Sequence, residues 1–175
     1  ASDVYKRQAL YHHIDRHFGP DPEGDGAIIA SEDPRDPTTW KWTSADRLFL
    51  KLVDELHRRG MHIIIDGVFN HAGLTFWAFE DVISQRERSP FWSWYAIENS
   101  GYPDQSHIND YRTLPSFLLK EGEQPFRYKG FVEDLPSFRQ DENGIVGPVS
   151  KHFYDIVKRW MDPNGDGDPS DGVDG

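Results

Sequence analysis

The chain has 175 residues, enough for one domain with a sizeable core, and 37% of them are hydrophobic and 14% aromatic. That aromatic load argues against a disordered acidic chain in spite of a mean hydropathy of -0.72. A net charge of -11 disfavours nucleic acid as a partner, and the absence of cysteine excludes disulfide scaffolds, zinc-thiolate sites and cysteine nucleophiles.

No stretch approaches the roughly 20 apolar residues of a membrane helix, so no membrane partner is expected. Ala1–Gln8 lacks the apolar core of a signal peptide. Residues 16–42 are rich in Gly, Pro and Asp and read as an ordered loop with several turns, pinned by Trp40 and Trp42. A helix is predicted from about Ser44 to Arg59. Ala45, Leu48, Phe49, Leu52 and Leu56 form its apolar stripe, Thr43 or Ser44 its N-cap, and Gly60 its stop. Met61–Asp66 then reads as a short strand buried on both faces, which makes helix and strand an αβ unit of a parallel sheet. In such sheets the ligand site lies beyond the carboxyl ends of the strands, where Asp66, Asn70 and His71 fall.

From Ala72 to about Gly147 the periodicity is lost, and the stretch reads as a small inserted subdomain. It contains a short helix candidate, Phe76–Ile83, and an aromatic cluster at Phe91, Trp92, Trp94 and Tyr95, which is expected to pack internally. A second helix is predicted from about Val149 to Met161. After it, Asp162, Asn164, Asp166 and Asp168 place oxygen side chains at alternate positions, like the start of an EF-hand loop, which points to Ca²⁺. Val173 stands where such a loop has its bidentate glutamate, and a simple turn is the competing reading. His12, His13 and His17 with Asp15 match no hydrolase metal spacing and lack a second cluster, so they are expected to be ordinary loop histidines.

Gly60–His71, with the run Asp66-Gly67-Val68-Phe69-Asn70-His71, resembles the first conserved region of the α-amylase superfamily of glycoside hydrolases, in its neopullulanase and cyclomaltodextrinase group. Tyr11–Gly19 is similar to the segment after the second barrel strand of those enzymes. Ser89–Tyr95 resembles their inserted domain B, and Asp134-Leu135-Pro136-Ser137-Phe138 a motif near that domain's end. Asp171–Gly175 resembles the approach to the fourth strand.

The resemblance implies an α/β fold, a partial (β/α)8 TIM barrel built from residues 9–71 and 148–175. Domain B would be inserted over 72–147, and residues 1–8 would form an atypical leader in which Tyr5 does not take the place of the family's sugar-stacking tyrosine. It implies that Asp66 ties the active-site floor together, that Asn70 anchors domain B, and that His71 hydrogen-bonds the sugar.

The implied activity is retaining hydrolysis of α-1,4 or α-1,6 glucosidic bonds in starch-derived α-glucan oligosaccharides. Two carboxyl groups about 5–5.5 Å apart carry that chemistry. The resemblance places the nucleophile and the acid beyond Gly175, so no catalytic residue is expected within this chain and the isolated chain is expected to be inactive. The alternatives are transglycosylation or isomerisation on the same barrel, a non-catalytic amylase-like sugar-binding domain, and a calcium-binding module.

Overall fold

The computed structural model describes residues 10–98, 100, 110–130, 132 and 134–175; the expected leader and Tyr5 lie outside them. The chain divides into two compact units, one of residues 10–67 and 151–175 and the other centred on Val68–Ser150.

The first unit is helical. α1 (Pro22–Ala30) lies inside the stretch read as loop, and corrects that expectation. Gly24 and Gly26 each weaken a helix by about 1 kcal/mol, which removes the pattern a sequence reading detects. The helix forms because Asp21 caps it, accepting from the Gly24 N–H at 3.0 Å, and Pro22 pre-sets its first turn. Asp25 of α1 is buried and serves the next helix. Its carboxylate accepts from Ser44 N at 2.6 Å, Ser44 Oγ at 2.9 Å and Ala45 N at 3.0 Å.

α2 (Ser44–Arg58) begins there. Thr43 is its N-cap and forms a capping box with Asp46, so the orphan N–H groups of the first turn are paired between Asp25 and Thr43. Gly60 adopts φ 69°, the left-handed stop anticipated from sequence. The buried stripe is Ala45, Phe49 and Val53, while Leu48 and Leu52 are 41% and 43% exposed. The apolar face is thus turned from the expected one toward the i, i+4, i+8 row.

That row meets α4 (Gly147–Met161), whose residues from Lys151 belong to this unit. Phe49 and the Trp160 ring meet edge to face at 5.6 Å, and Tyr11 and Phe153 at 5.3 Å. Arg159 lies 3.7 Å over the Trp42 ring and donates from Nε to the His12 carbonyl at 3.0 Å. Trp40 and Trp42 therefore do pin their segment to this core.

Residues 61–69 form no regular strand, and Ile64 is 79% exposed, which corrects the expected doubly buried strand. Their backbone partners are few. Asp174 N donates to Ile63 O at 2.9 Å and Ile65 N to Gly175 O at 2.8 Å, in the ascending order expected of parallel neighbours. Asp174 reinforces the pairing. Its carboxylate accepts from Ile63 N at 2.8 Å and contacts His62 Nδ1 at 2.7 Å and His57 Nε2 at 3.0 Å, and these bonds hold its pKa well below the usual range.

The second unit is small-stranded and aromatic. α3 (Trp77–Gln85) overlaps the predicted short helix and buries Ala78, Phe79 and Val82. β1 (Tyr111–Thr113) pairs antiparallel with β2 (Arg127–Lys129), and β3 (Gln140–Asp141) with β4 (Gly144–Ile145). Residues 136–138 run between two partners. Ala72 N donates to Pro136 O and Phe138 N to Asn70 O on one side; Ala96 N donates to Ser137 O and Arg139 N to Trp94 O on the other.

The core of this unit comprises Phe76, Phe79, Tyr95, Tyr128 and Phe138. Tyr95 stacks on Phe138 at 5.3 Å, and Phe79 meets Tyr95 and Tyr128 edge to face. Phe91, Trp94 and Tyr95 are buried, so this part of the aromatic cluster packs internally as expected.

Candidate functional site

Asp66 and Gly67 close the first unit's long segment, while Asn70 and His71 belong to the second. Asp66 is exposed. Asn70 directs its side chain to an exposed position while its carbonyl is bound by Phe138 N at 3.0 Å. His71 bridges to Ser137 across the antiparallel pair, so the Asp134–Phe138 motif fixes the backbone that carries it. Its side chain is largely buried, and burial pushes the imidazole pKa below its ordinary value. A neutral imidazole carries one donor and one acceptor nitrogen, which suits a sugar hydroxyl.

The loop that carries Asp162, Asn164, Asp166 and Asp168 is a chain of side-chain-stabilised turns. Asp162 Oδ2 accepts from Gly167 N at 3.1 Å, Asn164 Oδ1 from Asp166 N at 2.8 Å, Asp166 Oδ1 from Asp168 N at 2.8 Å, and Asp168 Oδ1 from Ser170 N at 3.0 Å. Gly165 and Gly167 take positive φ, 77° and 87°, and allow the chain to fold back over these carboxylates. Two oxygens, Asp162 Oδ1 and Asp171 Oδ1, are buried with no hydrogen-bond partner among the described residues.

His12 and His13 depart from the loop-histidine expectation. Both are buried, whereas His17 is exposed and pairs locally with Asp15 at 2.9 Å. His13 joins two carboxylates, Asp46 Oδ2 at Nδ1 and Glu32 Oε2 at Nε2, each at 2.8 Å. Burial alone would push its pKa down, but hydrogen bonds to Asp46 and Glu32 outweigh that and raise it. Asp46 shows the complementary balance: burial pushes its pKa up, and hydrogen bonds from His13, Ile14 N and Thr43 N bring it below the ordinary range.

His12 stacks on Trp40 at 4.2 Å, and burial, with His13 and Arg159 nearby, lowers its pKa to about 2, so it is neutral. Glu32 and Asp46 stand 19 and 33 residues from His13 and carry no spacing signal that links them to it.

The α-amylase catalytic-domain model matches residues 42–173. Neopullulanase 2 of Thermoactinomyces vulgaris is 33% identical over 142 residues, which cover 75% of this chain and 21% of that protein. A cyclomaltodextrinase of a Bacillus species is 45% identical over 125 residues, 62% of this chain and 21% of that protein. The solved debranching enzyme of Nostoc punctiforme superposes with a TM-score of 0.51 at 29% identity, over 74% of this chain and 22% of that one. The chain thus spans about a fifth of the length of these relatives. With the matched stretch running through Asp66–His71 and on to Val173, the chain belongs to the α-amylase catalytic-domain family.

Proposed function

We propose that the whole protein hydrolyses α-1,4 or α-1,6 glucosidic bonds of starch-derived oligosaccharides by the retaining route, with this chain supplying part of the sugar site. The observation that carries the reading is the family match over 42–173, which contains Asp66, Asn70 and His71. Relatives whose names specify pullulan or cyclomaltodextrin as substrate support the substrate class.

In this reading residues 9–71 and 148–175 contribute to a (β/α)8 barrel, and 72–147 form its domain B. The separate compact unit around Val68–Ser150 and the parallel order of the Ile63 and Asp174 pairing support it. So do exposed Leu48, Leu52 and Ile64, whose apolar side chains a closed barrel with its outer helices would cover. Asp66 would brace the active-site floor, Asn70 would anchor domain B, and His71 would bind a glucose hydroxyl.

The full-length protein should release reducing sugar from maltohexaose and β-cyclodextrin, and His71→Ala should lower kcat/KM by roughly 10–100-fold, the worth of one buried hydrogen bond. A wild-type protein that releases none from either substrate would overturn the reading.

The proposal extends to Ca²⁺ at the loop of Asp162, Asn164, Asp166 and Asp168. It rests on their alternate spacing and on the two buried, unpartnered oxygens of Asp162 and Asp171. Calorimetry should register one Ca²⁺ per chain and its loss in Asp166→Ala; equal heats for both proteins would reject the site.

A further inference from the structure

We propose that His12, His13 and Glu32 form a site for a divalent metal ion of the zinc class. One ligand atom from each lies within 4.8 Å of the other two, the only such cluster of three His, Cys, Asp or Glu groups among the described residues. Glu32 Oε2 stands 3.5 Å from His12 Nε2 and 2.8 Å from His13 Nε2, and the three side chains are only 1–2% exposed.

Ligands about 2.0–2.1 Å from a tetrahedral zinc ion lie roughly 3.3 Å apart. The His12 separation already meets that spacing. The His13 separation reaches it by opening about half an ångström, when the ion replaces the proton that now joins the imidazole to Glu32. That proton leaves to solvent, and water completes the fourth position.

Three further observations show that the ligand groups are held in place. Asp46 accepts at His13 Nδ1 and so aims Nε2 at Glu32, the carboxylate–histidine arrangement that orients metal-bound imidazoles. The other oxygen of Glu32 accepts from the Lys41 backbone N–H, which fixes the carboxylate. His12 is buried and stacked on Trp40 at 4.2 Å, which fixes the ring whose Nε2 faces Glu32.

The oxygen-rich loop at Asp162 is a different kind of place, suited to a hard cation, whereas two imidazoles and one carboxylate suit a borderline one. The cluster joins Glu32, just after α1, to His12 and His13 in the segment before Arg16.

The test is a titration of the metal-free chain with Co²⁺, followed by its visible d–d absorption, with Zn²⁺ added afterwards. The expected result is a band that saturates at one Co²⁺ per chain and is abolished by Zn²⁺. Glu32→Gln should weaken Co²⁺ binding on the order of 100-fold and His17→Ala should leave it unchanged. No saturable band in the wild-type chain, or the same titration in Glu32→Gln as in wild type, would overturn the proposal; circular dichroism of each variant confirms that its helices are intact.

Discussion

Asp46→Ala should lower the stability of the metal-free chain by about 3–5 kcal/mol, the usual cost of removing one partner from a buried charged pair. Asp46 has no exposed surface. Its carboxylate accepts from His13 Nδ1 at 2.8 Å, Ile14 N at 2.8 Å and Thr43 N at 3.0 Å, and it lies 3.7 Å from Arg159 Nη2. The substitution therefore strands two backbone N–H groups and a ring nitrogen at once, and breaks the capping box of α2.

Urea denaturation would measure the loss, with Asp54→Ala as the comparison. Asp54 pairs with Arg58 in water, with a side chain 68% exposed, and its replacement should change stability by less than about 0.5 kcal/mol. Equal losses for the two variants would refute the account. The effect should also depend on pH. The depressed pKa of Asp46 contributes stability above its unfolded value of 3.8 that is lost as the pH falls. The raised pKa of His13 contributes stability below 6.5 that is lost as the pH rises through its folded value. The gap between wild type and Asp46→Ala should thus be widest between those two values and narrow on either side.

Phe138→Ala should have a comparable effect in the other unit, about 3–5 kcal/mol for truncation of a buried aromatic. Phe138 is 2% exposed, stacked on Tyr95 and edge to face with Phe76 at 6.0 Å. Phe138→Leu keeps most of the volume and should cost less than half as much.

A second readout ties this core to His71. Phe138 N binds the carbonyl of Asn70, next to His71 in sequence, so loosening the ring should admit water to the His71 imidazole. Because burial is what depresses the His71 pKa, NMR titration should find it raised toward 6.5 in Phe138→Ala. An unchanged His71 titration in a destabilised Phe138→Ala chain would show that the two are independent.

The parts of the fold that sequence disclosed were those with local causes. α2 announced itself through a cap, a basic last turn and Gly60, and α4 through its apolar spacing. The face of α2 is not legible in the same way, because Leu48 and Leu52 are as apolar as Phe49 and Val53, and the packing of Phe49 on Trp160 is a tertiary contact. α1 was hidden because Gly24 and Gly26 interrupt its pattern, and the bonds of its Asp25 to the start of α2 exist only in the folded chain. The Ile63–Ile65 run reads as a buried strand on composition, yet burial depends on neighbours on both sides, and among the described residues its backbone bonds run to Asp174 and Gly175.

The candidate sites divide in the same way. Asp66, Asn70 and His71 fall within one short run, Asp66–His71, and are therefore visible, as is the alternate spacing at Asp162. Glu32 and Asp46 become partners of His13 only through folding, because no periodicity connects positions so far apart.

The bond from Ile63 N to the Asp174 carboxylate joins residues 111 positions apart. During synthesis at about 5–20 residues per second, Ile63 would wait roughly 6–20 s before Asp174 is even made. In that interval the intervening Val68–Ser150 unit has time to condense on its own, since its hairpins and aromatic contacts lie within itself. Condensation of that unit shortens the open loop that the final pairing must close, and so lowers its entropic cost. The order of folding would then run from the middle of the chain outward, with the two edges of the first unit meeting last.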